Sequence, residues 1–84
     1  MGEVIDLVEK RIDRCLEVLS VRREHDRKYE VGDLRRYLER ELLLSQLIVL
    51  KSQHRRSDLS LFEEFALQTI EVNLGLRSRA VWPL

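Results

Sequence analysis

The chain has 84 residues, 44% of them hydrophobic and 36% charged, with 15 basic and 15 acidic side chains and a formal net charge of zero. This is the size of one small domain, burying roughly 60 to 65% of the surface its unfolded form exposes, and its apolar content is too high for a disordered polyampholyte. A neutral chain has no overall field to draw it to nucleic acid or an anionic membrane, so an electrostatic partner has to be read from local clusters.

A first helix is predicted from about Glu3 to somewhere in residues 23–28. Ile5, Val8, Ile12, Cys15 and Leu19 recur at steps of 3, 4, 3 and 4, the spacing of a seam packed against another helix. Val4, Leu7, Leu16 and Val18 widen that seam to about half the circumference. Acids near its start and Arg22, Arg23, Arg27 and Lys28 near its end complement the helix dipole. The turn is expected at residues 29–32, with Gly32 free to adopt a positive φ and Asp33 capping the second helix.

That second helix is predicted from Asp33 to about Arg56. In its first half Leu34, Tyr37, Leu38 and Leu42 form one side and Arg35, Arg36, Glu39 and Arg40 the other. Its second half contains Leu42 to Leu50, LLLSQLIVL, the most apolar run of the chain. At about 100° per residue its seven aliphatic side chains spread nearly all the way round, leaving only Ser45 and Gln46 polar. A helix apolar on every side has to be enclosed on every side. This run is therefore expected to be the central rod, with Leu43, Leu44, Leu47, Ile48 and Leu50 as interface residues towards a second copy. At nine residues it is about half of a bilayer span.

Ser60-Leu61-Phe62-Glu63 fits the capping box Ser-x-x-Glu and is expected to open a third, shorter helix, which Gly75 ends as a left-handed stop with Leu76 folding back. Glu63, Glu64, Gln68 and Glu71 form its polar side. Residues 77–84 make an apolar tail containing Trp82, the only tryptophan, a candidate anchor for a partner or a seal on the chain's own bundle. The domain expectation is one helical unit over residues 1–76 followed by that tail. The fold expected is all-α, a long helical hairpin plus a shorter third helix, completed by self-association.

Groups that could carry chemistry are sparse. His25 and Asp26 are neighbours and are expected to diverge on a helix; Ser52, His54, Ser57 and Asp58 make a superficial Ser/His/Asp set at a helix end, read as capping and dipole charge. Cys15 sits mid-seam and reads as core rather than as a nucleophile. Two separated histidines and one cysteine have no zinc spacing, and three isolated glycines make no phosphate loop. No enzyme, cofactor or metal is expected.

Charge is segmented. Residues 1–21 hold five acids and three bases, residues 22–56 ten bases and six acids, and residues 57–75 four acids and no base. The bases Arg22, Arg23, Arg27, Arg35, Arg36 and Arg40 are candidate phosphate-binding residues, since guanidinium forks suit phosphate geometry. Glu24, Asp26, Glu30, Asp33 and Glu39 lie among them, and few aromatics are available for stacking on bases. The opposite signs of helices two and three suggest packing within or between chains. The expected function is a non-enzymatic protein–protein interaction module, an assembly or adaptor subunit and homodimer. The alternative is a nucleic-acid-associated accessory protein using the basic hairpin. One cysteine, and acids in place of a basic leader or of the Ser or Thr that lipidation requires at position 6, suggest a cytoplasmic protein without membrane partners.

Overall fold

The structure, a computed structural model, describes residues 6–28 and 32–78. It contains three helices, α1 (Leu7–Lys28), α2 (Leu34–Arg56) and α3 (Leu61–Asn73), and the described residues form no strand. The expected Tyr29–Val31 part of the turn, the start of the α1 seam at Val4 and Ile5, and Trp82 with the rest of 79–84 lie outside the described residues.

The helix ends follow local chemistry. Asp6 accepts the Glu9 backbone N–H at 3.0 Å, and Asp33 that of Arg35 at 3.0 Å. At α3 the box is reciprocal: Glu63 N–H donates to Ser60 Oγ at 3.2 Å, and Ser60 N–H donates to Glu63 Oε1 at 3.0 Å. Gly75 takes φ +73°, the left-handed conformation that costs glycine least. Around it Leu76 N–H donates to Glu71 C=O and Gly75 N–H to Val72 C=O, the paired bonds of a Schellman stop.

The core is one cluster of Ile12, Cys15 and Leu19 from α1, Leu47 and Leu50 from α2, and Leu67, Ile70 and Leu74 from α3. The α1 seam therefore stands as the spacing predicts over Ile12, Cys15 and Leu19, with Val8 partly buried beside them. Val8, Leu16, Val18, Leu43, Leu44, Leu59 and Leu76 pack around the cluster, partly buried. Burial also pushes the Cys15 thiol up to about 11. In the folded chain at neutral pH Cys15 is expected to stay unmodified by a thiol reagent and to react fully in denaturant; rapid modification without denaturant would contradict its place in the core.

The helices are tied together by charge as well as by apolar contact, and not in the pairing expected from segment signs. The bases of α2 meet acids in and just before α1: Lys51 Nζ lies 2.6 Å from Asp13, Arg55 3.6 Å from Glu9 and His54 Nε2 2.6 Å from Asp6. The acids of α3 instead meet α1 through Arg11, whose Nη1 donates to Glu64 at 2.7 Å and whose Nε donates to Glu71 at 3.1 Å. Those bonds, Glu71 first, hold the Arg11 guanidinium firmly protonated. Helices α1 and α2 pair most extensively, and α3 touches both over less of its length. The result is a slab only 20 Å thick, with a radius of gyration of 14.6 Å, against about 12 Å for a compact chain of this length.

Candidate interaction surface

Helix α2 has two faces of opposite use. Positions 36, 40, 43, 47, 50 and 54 recur at steps of 4, 3, 4, 3 and 4 and point at the other two helices. Because Leu43, Leu47 and Leu50 fix the rotation of the helix in the core, the same phase carried one turn back brings Arg40 and Arg36 inward. Leu34, Leu38, Leu42, Ser45 and Val49 recur at steps of 4, 4, 3 and 4 on the opposite side, and all are exposed or half-exposed.

The rod is thus divided between core and surface. Leu47 and Leu50, expected at the interface with another copy, are buried in the chain's own core, while Leu43 and Leu44 are half-buried against it. Ile48 remains outward, and with Leu42 and Val49 is between 57% and 61% exposed. One chain therefore encloses one side of the apolar run and leaves the other in water. The amphipathic first half is also turned over relative to the simplest expectation, since Leu34, Tyr37 and Leu38 are exposed while Arg40 is buried. A buried carboxylate on α1, that of Asp26, makes the burial of Arg40 possible.

Beside the outward face of α2 lies α3, whose first turns project Leu61 at 91% and Phe62 at 80% exposure, with Phe65 also exposed. Between the two helices runs a groove in two adjoining parts of about 380 and 300 Å³. Val49, Leu50, Phe62, Phe65, Ala66 and Ile70 give it apolar walls, Ser45, Gln46, Gln53, Thr69 and Asn73 add uncharged polar groups, and among the described residues Glu63 is the only charged one lining it. In a chain with 36% charged residues this face carries a single charge among the described residues, itself engaged in the α3 cap. Contiguous apolar surface of this kind marks association sites. The aromatic contribution of Phe62 and Phe65 was not singled out by sequence spacing, because α3 is apolar around most of its circumference and the pattern does not say which side meets α1.

The basic residues divide into two sets. Asp26, 7% exposed on α1, receives Arg36 through Nε at 3.0 Å and Nη2 at 2.9 Å, and Arg40 through Nη1 at 2.9 Å. Arg35 pairs with Glu39 on the surface at 3.2 Å. Arg22, Arg23 and Arg27 are exposed and have no ion pair with a described residue. The six candidates thus do not form one phosphate-binding row: Arg35 points away, and Arg36 and Arg40 converge on a carboxylate. Two clefts flank that carboxylate, one reaching Arg22, the other Arg23 and Arg27.

The other candidates for chemistry take structural partners. His54 turns to Asp6 rather than to Asp58. His25, expected to diverge from Asp26, brings Nδ1 to 3.5 Å from its Oδ1, beyond normal hydrogen-bond length but closer than neighbours on a helix were expected to come. Among the described residues no group of three or more His, Cys, Asp or Glu could hold a metal ion, and no helix is long and apolar enough to cross a membrane. Comparison with described protein families, with curated proteins and with solved structures finds no match to this chain.

Proposed function

We propose that the protein is a helical assembly module that acts by holding other polypeptide, in the first instance a second copy of itself, through the outward face of α2 and the α2–α3 groove. The single observation that carries this reading is the nearly uncharged groove rimmed by Phe62 and Phe65. A partner surface rich in charge would lose its water there and gain no counter-charge in return. A second copy offers the same uncharged face, and its protruding aromatic pair lies beside its own groove, so a two-fold axis can set each pair over the other groove.

A role as adaptor or small complex subunit would use the same face towards a different helix.

Phe62→Glu tests the proposal without touching the core. Because Phe62 is exposed in the single chain, its replacement is expected to change folding of one copy by no more than about 0.5 kcal/mol. As a central aromatic of the interface it is expected to weaken association at least ~30-fold. Light scattering should show the variant at the mass of one chain, with a helical circular dichroism spectrum like that of the unaltered protein. A variant that keeps the mass of the unaltered assembly would count against this face.

A further inference from the structure

At the opposite end of the α1–α2 pair from His54 lies a cleft of about 630 Å³, within the range of small-molecule sites. Leu19, Leu42 and Leu43 supply apolar surface, and Arg22, Arg36 and Arg40 supply charge. We propose that it binds a small organic phosphate monoester, its phosphate held by these three arginines and its apolar body lying on the leucines.

Asp26 builds the site. Through one oxygen it accepts Nε of Arg36 and Nη1 of Arg40, with Arg36 Nη2 2.9 Å from the other, and so holds both guanidinium planes in place before any ligand arrives, which lowers the ordering cost of binding. It uses only part of their donor capacity, since an arginine has five N–H bonds. The Arg40 side chain is 10% exposed, and its Nε–H has no acceptor among the described residues, with a Glu41 carboxylate oxygen standing 3.9 Å away. Tyr37 backs the same guanidinium with its ring centroid at 5.5 Å.

The charges match one kind of ligand. Arg22, Arg36 and Arg40 bring three positive charges and Asp26 removes one. Glu39, at the rim, is engaged by Arg35. The remaining charge of about two balances a phosphomonoester near neutral pH, and guanidinium forks suit its oxygens. A nucleic-acid strand fits less well, because the arginines converge on a concavity rather than forming a track, and among the described residues the cleft lining contains no aromatic on which a base could stack.

Titration calorimetry with phenyl phosphate, inorganic phosphate and a short single-stranded oligonucleotide tests the assignment on the intact chain. The expected result is saturable binding of one phenyl phosphate per chain, tighter than inorganic phosphate, weakened about tenfold or more by Arg22→Gln and unchanged by Arg55→Gln. Arg22 is exposed and without an ion pair to a described residue, so the melting temperature of Arg22→Gln should match that of the unaltered protein. Absence of saturable binding, equal weakening by the two substitutions, or equal affinity for inorganic and phenyl phosphate would overturn the proposal. So would tighter, steeply salt-dependent binding of the oligonucleotide, which marks a nucleic-acid surface instead.

Discussion

Leu47→Ala is expected to remove about 2–5 kcal/mol of folding free energy, the range for truncating a leucine with no room to collapse around it. Leu47 is fully buried and sits where all three helices contribute to one apolar cluster. The whole stability of a chain of this size is only ~4–13 kcal/mol, so the loss is a large fraction of the total. Leu47→Glu would place an unpaired carboxylate in the same position and should leave the chain largely unfolded. Urea denaturation followed by circular dichroism reads both. Ser52→Ala, on the exposed side of the same helix, should stay within about 0.5 kcal/mol of the unaltered protein. A loss below ~1 kcal/mol for Leu47→Ala would mean that the site can collapse or is open to water.

The second large effect is expected at Asp26. Removing it by Asp26→Ala leaves Arg40 enclosed without the carboxylate that neutralises it, and breaking a buried pair from one side costs about 3–5 kcal/mol. Arg36 is half-exposed and can turn to water, so most of that cost belongs to Arg40. The test is a double-mutant cycle in urea. Adding Arg40→Met to Asp26→Ala should recover much of the loss, because the stranded charge is then gone and an unbranched apolar side chain remains to fill the space. If the double variant is as unstable as the sum of the two single variants, the pair is not coupled and Arg40 is not held by Asp26.

The helical architecture was legible in the chain because its signals are local. Asp33, the Ser60–Glu63 box and Gly75 each act through bonds to neighbouring backbone, and the seam of Ile12, Cys15 and Leu19 follows from spacing alone. The rotation of α2 was not legible from Leu42 to Leu50, since a run apolar on nearly every side carries no phase of its own. Its phase is visible only when two long-range facts are joined: Asp26 falls seven residues after Leu19, in register with the α1 seam, and Arg40 falls seven before Leu47, in register with the α2 core. A carboxylate and a guanidinium at matching seam positions of antiparallel helices are a pairing signal that spacing of apolar residues cannot register. The same limitation hid the role of Glu71, which belongs to the polar side of α3 by composition but is buried against Arg11.

The proposed interaction surface was half legible. An excess of apolar helix surface follows from composition and spacing, but the side chains that carry it differ from those expected, because Leu47 and Leu50 are consumed by the chain's own core. Leu42, Ile48 and Val49 on α2, with Leu61, Phe62 and Phe65 on α3, are among the apolar groups left exposed instead.

Sedimentation equilibrium of the unaltered chain, run from low to high micromolar concentration in moderate and in high salt, asks most directly whether this face holds a second copy. The mass is expected to rise to twice the 10.0 kDa of one chain and to hold there in high salt, since burial of an uncharged face is not weakened by screening. A mass of one chain across the whole concentration range would contradict self-association.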